Sequence, residues 1–317
     1  MTAITDAHSV EPVKKRPSGF QPIAGRRRFS DVAVRGLAVA ALVIALVPLF
    51  WLVITLVQNG IGPILDPDWW GSPEIKGGAF NAIVGTLIQT ALAAVISIPL
   101  GIMVAIYLVE YSTGRSWLGR ATTFMVDILS GVPSIVAALF VYAVWRTTLG
   151  LPRSGFVVAI ALVLLMVPLV VRATEEMLKI VPQDLREASY ALGIPKWKTI
   201  ARVVLPTALS GIITGVMLAI ARVMGESAPV LILVGSTRAM NWNPFEGNQQ
   251  SLPLMMVQQY NNGPSAFDKV WGAALTLVIL VALVYFGAKF LPKLVGFAVH
   301  ISKTLRKSSA PAPTKTL

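Results

Sequence analysis

Six apolar stretches constrain this chain more than any other feature, and most are long enough to cross hydrocarbon. They lie at about residues 37–57, 80–109, 121–145, 156–171, 207–234 and 270–295. A helix needs roughly 20 mostly apolar residues to span a bilayer, because its backbone polar groups must be satisfied within the segment. With 55% hydrophobic and only 13% charged residues, the chain has little polar surface with which to stay in water. The expectation is an all-α integral membrane protein with six transmembrane helices, in which Pro48 is a tolerated kink and the third stretch carries Pro133.

Charge placement sets the orientation. Of the 27 Lys and Arg, 21 fall in the N-terminal segment, the C-terminal segment and two alternate connections. Basic residues accumulate on the cytoplasmic side, so both termini are expected in the cytosol of a multi-pass cell (inner) membrane protein. The expected organisation is a flexible basic tail over 1–32, a membrane domain over 33–302 and a disordered polar tail over 303–317.

A net charge of +12 is compatible with a nucleic-acid binder, but its concentration in the tails and between apolar runs argues for topology instead. Cysteine is absent, which excludes disulfides and thiolate metal sites. Only His8 and His300 occur, and no paired carboxylates face a plausible cleft, so a membrane enzyme acting on phosphorylated lipid lacks its acid, base or metal groups. A secondary transporter often shows matching halves with broken helices, and no internal repeat is evident.

The segment 182–206 is polar enough to leave the membrane and is patterned for helix. Pro182 suits a first helical turn, and Leu185, Ala188 and Leu192 recur at spacings of three and four to give an apolar stripe. Gly193 can end that helix and Pro195 can start the next. Such a projecting helix pair either inserts into a groove on a partner or packs across its own helix ends.

Within the fifth stretch, Arg222 and Glu226 are four residues apart, which on one helix places them on one face. Gly211, Gly215 and Ala219 form a small-residue stripe leading to them, suited to close approach of another helix. Pro229 leaves the Gly225 carbonyl without its helical donor. An Arg fork suits a tetrahedral oxyanion; a mutually neutralising pair is the alternative. Thr86, Thr90 and Ser97 either line a path or bond neighbouring helices. Asp127 is an intramembrane or an interfacial acid, Trp69 and Trp70 read as interfacial anchors, and the long 235–269 connection could face an external partner.

Glu187-Ala188-Ser189, Gly193, then Val203, Leu205 and Pro206 keep the spacing of the EAA signature, so the chain resembles the ABC importer permeases. Arg172-Ala173-Thr174-Glu175-Glu176, Gly131-Val132-Pro133-Ser134, Pro99-Leu100-Gly101-Ile102 and Gly225-Glu226-Ser227-Ala228-Pro229 resemble the phosphate-specific branch. Leu252-Pro253-Leu254-Met255 favours its PstA-like side. The resemblance covers about residues 77–295. It implies the type I ABC importer permease fold, with 182–206 as the coupling loop and Glu187, Ala188 and Gly193 in ATPase contact. Arg222, Glu226 and Ser227 would lie on the substrate path.

The implied partners are an ATP-binding subunit in two copies, a second, PstC-like permease subunit and an extracytoplasmic phosphate-binding protein. The chain has no G-x-x-x-x-G-K-[ST] phosphate loop, so ATP would be handled by the partner and no cofactor is expected here. Sulfate or molybdate permeases are the nearest alternative on substrate.

Overall fold

The computed structural model describes residues 25–112 and 116–308, with side-chain surroundings for 32–112 and 116–287. Most of the two expected tails, over 1–24 and 309–317, lies outside the described residues. The chain divides into two units, Met1–Ile54 and Thr55–Leu317, and all packing described below is within the second. Among the described residues every regular element is a helix.

Eleven helices are labelled here: α1 (Gly25–Leu65), α2 (Phe80–Ile106), α3 (Trp117–Gly131), α4 (Ser134–Tyr142), α5 (Gly155–Ile180), α6 (Gln183–Ala191), α7 (Lys196–Thr199), α8 (Leu205–Met224), α9 (Ala228–Leu233), α10 (Leu252–Asn261) and α11 (Phe267–Ser308). Five helical stretches are long and apolar enough to cross a membrane, and α3 with α4 make a sixth if that bent pair is one span. α11 continues past the 302 boundary expected for the membrane domain, since neither Pro nor Gly interrupts the sequence between Gly296 and Pro311.

Two expected spans are broken. The stretch 121–145 divides into α3 and α4, which meet at 103°. Pro133 disfavours helical backbone at the residue before it, and Val132 is accordingly extended, with φ −70° and ψ 124°. The stretch 207–234 stops at Met224 and restarts as α9. Gly225 ends the first piece, and Pro229 cannot give the Gly225 carbonyl its N–H. The chain bridges the gap with tight turns, the Gly225 and Glu226 amides donating to the Arg222 and Val223 carbonyls at 3.2 and 3.1 Å.

α5 is the central element and packs against α2, α3, α4, α8 and α9. It runs well beyond the expected end near Arg172. Charges there pair along and beside the helix: Arg172 bonds Glu175 at 2.8 Å, Lys179 bonds Glu175 at 2.7 Å, and Arg172 also holds Asp127 of α3. Asp127 is therefore one half of a tie between α3 and α5. The small-residue stripe on α8 faces α5. A Cβ added at Gly211 would lie 2.2 Å from Met177 Sδ, and one at Gly215 would lie 2.5 Å from Ala173 Cβ.

The end of the fold opposite the 182–206 hairpin is closed by polar contacts. Glu74, almost fully buried, accepts 2.7 Å bonds from the Gln250 and Gln259 side-chain amides. The 235–269 connection contains α10, capped by Ser251, with Pro253 in its first turn and Leu252, Leu254 and Met255 buried. Gly85 admits the Gln250 carbonyl so closely that a Cβ there would lie 1.9 Å away. Trp69 is not an interfacial anchor: it is buried and its indole N–H donates to Thr276 at 2.9 Å, while Trp70 is exposed. Thr86, Thr90 and Ser97 are also buried, with Thr86 accepting the Leu252 amide at 2.9 Å.

Candidate functional site

The two breaks face one cavity of about 250 Å³. Ser130, Gly131, Val132, Pro133 and Ser134 form one wall, Leu165 and Leu169 of α5 another, and Arg222, Val223 and Glu226 a third. Neither break is incidental to that cavity. Straight helices would present only side chains there, whereas the turns bring backbone and the first turn of α4 to its edge. The first amides of a helix lack intrahelical acceptors and carry partial positive charge, which favours an anion.

Arg222 sits in the last turn of α8 and is exposed, and Glu226 lies in the break, half-buried. Among the described residues neither side chain has a hydrogen-bond or ion-pair partner, in particular not the other. Their spacing of four residues would have paired them on a continuous helix, but the chain leaves helical geometry at Gly225. Mutual neutralisation needs a contact that is absent. Ser227 occupies the N-cap position of α9 and is outside the cavity lining.

The 182–206 segment forms the expected helix, turn and second helix. α6 ends in a Schellman motif: the Gly193 amide donates to the Tyr190 carbonyl at 2.9 Å and the Ile194 amide to the Ser189 carbonyl at 3.2 Å. Gly193 takes φ +72°, a left-handed backbone that side chains other than Gly and Asn resist. α7 passes through a π-helical turn, Ile200–Val204, into α8.

The apolar stripe is not the face that packs across the helix ends. Leu185 is 42% exposed and Leu192 79% exposed, Ala188 and Glu187 lie on the surface, and Trp197 is 63% exposed beyond the turn. The face turned inward is the polar one. Arg186 and Ser189 are buried, Arg186 against Glu110 and Ser189 at 2.8 Å from the Thr199 hydroxyl. The helix is thus held in place through polar bonds and leaves its apolar surface outward.

Sequence comparison gives this arrangement a family. Residues 97–300 match the model described as the binding-protein-dependent transport system inner membrane component. The phosphate transport system permease protein PstA 1 of Mycobacterium tuberculosis (strain CDC 1551 / Oshkosh) is 51% identical over 286 residues, covering 88% of this chain and 93% of that protein. PstA of Mycobacterium leprae (strain TN) is 52% identical over 280 residues, covering 86% and 91%.

Among solved structures, a chain of a bacterial alginate ABC transporter in complex with its alginate-bound periplasmic protein aligns with TM-score 0.62 at 13% identity, over 85% of this chain and 97% of that one. A chain of the inward-facing MetNI methionine ABC transporter aligns with TM-score 0.55 at 21% identity, over 69% and 94%. These two show a shared fold. With an all-helical architecture of five or six membrane-length spans and a family match over most of its length, this chain belongs to the inner membrane components of binding-protein-dependent transport systems.

Proposed function

We propose that this chain is a permease subunit of an ATP-driven importer of inorganic phosphate, supplying half of the translocation path and coupling to ATPase subunits in trans. The observation that carries the cargo is the 51% identity to a phosphate transport system permease over 88% of the chain. The geometry supplies a place for it. An unpaired guanidinium and the start of a helix face a cavity at two helix breaks, and phosphate is a tetrahedral oxyanion whose oxygens an Arg fork can bind two at a time. Glu226 lines the same cavity as Arg222, and Ser227 follows it at the N-cap of α9, next along the proposed path.

The hairpin at 182–206 is the coupling loop, with Glu187, Ala188 and Gly193 toward an ATP-binding subunit present in two copies. A second, PstC-like permease subunit completes the path, and an extracytoplasmic binding protein delivers phosphate. Both termini then face the cytosol, in keeping with the distribution of Lys and Arg. ATP is bound by the partner, and the chain itself is not an enzyme. The test is anion uptake in cells lacking the chain and complemented with it, with phosphate, sulfate and molybdate in competition. Restored phosphate uptake that unlabelled sulfate and molybdate leave intact is expected; uptake of either rival in its place would reassign the cargo.

Gly193 gives a sharper test of the coupling loop. No atom lies within 4 Å of a Cβ built there, so a substitution meets backbone strain and not a clash. Left-handed backbone costs an ordinary L-residue about 1–2 kcal/mol, while Asn tolerates it. Gly193→Val should therefore weaken ATPase association and uptake by roughly 5–30-fold, with Gly193→Asn close to the parent. Pull-down of the ATPase subunit measures this, and equal capture by both variants would remove the turn from the coupling argument.

A further inference from the structure

Arg186 precedes the coupling signature and points the other way. It lies on the inward face of α6, 7% exposed, while Leu185 on one side and Glu187 on the other face outward. Its guanidinium reaches two other elements at once. Nε and Nη2 donate to Glu110 Oε1 at 3.1 and 3.0 Å, Nη1 donates to the Val181 carbonyl at 2.6 Å, and Nη2 also donates to the Leu178 carbonyl at 2.9 Å. Those two carbonyls are at the C-terminal end of α5, where the backbone supplies only the Val181 amide, 3.4 Å from the Leu178 carbonyl. Glu110 sits in the π-helical turn Tyr107–Tyr111 that continues α2 and is itself 9% exposed.

We infer that Arg186 and Glu110 form a clasp that makes the coupling hairpin, the end of α5 and the end of α2 move as one body, so that a displacement imposed on the hairpin reaches the cavity. Three observations carry this. A buried ion pair is a poor device for stability alone, since a packed apolar pair of similar volume often does as well, whereas directional bonds to a carboxylate and two carbonyls fix how the elements sit relative to one another.

The clasp also stands beside open space, a cavity of about 540 Å³ lined by Val109, Lys179, Pro182 and Lys196 as well as by the pair itself. Displacement of the hairpin is thus not blocked by packing on that side. Finally, α5 runs unbroken from the clasp to the path. Leu178 lies nine residues, about 14 Å of helix, from Leu169 in the cavity wall. α2 adds a second contact with the same helix, where a Cβ at Gly101 would sit 2.7 Å from Val170 Cγ1. The π turn that holds Glu110 is a common site of local rearrangement, which places the clasp at a point where α2 can yield.

The clasp rests on the reading of the hairpin as an ATPase-docking loop, and it makes Arg186 and Glu110 positioning residues without contact to the anion. The test uses the complete transporter, both permease subunits with ATPase and binding protein, reconstituted in proteoliposomes, with ATP hydrolysis and phosphate uptake measured in the same vesicles. Glu110→Gln and Arg186→Lys keep side-chain volume while weakening the pair. The expected result is ATP hydrolysis within about twofold of the parent and phosphate moved per ATP reduced roughly tenfold or more, the scale of one lost charged hydrogen bond.

Loss of hydrolysis and uptake in proportion overturns the clasp, and so does an unchanged ratio. Failure of both variants to assemble overturns it as well, because the pair then serves folding only. The parent complex separates the two levels of inference. If it moves no phosphate or binds no ATPase, the functional reading falls first and takes the clasp with it.

Discussion

Replacing Arg222 by Ala is expected to lower phosphate uptake by about 100-fold while the protein still inserts and still captures its ATPase subunit. The residue is exposed at the end of α8 and its side chain has no bond to any described residue, so truncation leaves no stranded partner and little structural cost. Charge-assisted hydrogen bonds are worth about 1.5–3 kcal/mol each, and an Arg fork can make two to one oxyanion. Loss of about 3 kcal/mol corresponds to roughly 100-fold in rate. Arg222→Lys retains a point charge without the fork and should fall between, at about tenfold. Rate measurements in complemented cells, beside a pull-down that confirms assembly, check both; parental uptake in the Ala variant would take Arg222 off the path.

The coupling hairpin was legible because everything that shapes it is local. Its stripe, its terminating Gly193 and its restarting Pro195 lie within one short segment, and the Schellman bonds join residues at most five apart. Membrane spans were legible for the same reason, since hydropathy is a property of a continuous run. The two helix breaks were written in the sequence as Gly131-Val132-Pro133 and Gly225 to Pro229, but a proline inside a membrane helix can be absorbed as a kink when neighbours re-satisfy the freed carbonyl. Whether that happens depends on tertiary surroundings.

Here both sites break outright, and the break at Gly225 is what keeps Arg222 and Glu226 from pairing. Contacts across long separations left no local trace. Glu74 meets Gln250 and Gln259 from the far side of the chain, Arg186 meets Glu110, and Trp69 meets Thr276. A tryptophan beside acids in a loop suggests an interface; only packing reveals that this one is core.

Overfilling the contact between α8 and α5 should have the largest effect on stability. A Cβ at Gly215 would stand 2.5 Å from Ala173 Cβ, far inside van der Waals contact, and the nearest atom belongs to a side chain that cannot rotate away. Gly215→Ala is expected to cost about 1–3 kcal/mol through forced separation of the helices, and Gly215→Leu more than that, enough to prevent accumulation in the membrane. For a chain of this size the Ala variant should unfold at a temperature lower by roughly 2–10 °C in detergent. Ala173→Gly removes the opposing methyl, so the double variant should recover most of the loss even though Ala173→Gly alone costs up to about 1 kcal/mol of helix propensity.

Additive losses in the double variant would show that the two helices do not meet at that pair. The same contact bears on transport. Arg222 lies seven residues beyond Gly215 on one helix, about two turns, so a wedge at Gly215 tilts the segment that carries the guanidinium to the cavity. Uptake should therefore fall in Gly215→Ala and return in the double variant in step with the unfolding temperature, whereas Arg222→Ala loses uptake with that temperature unchanged.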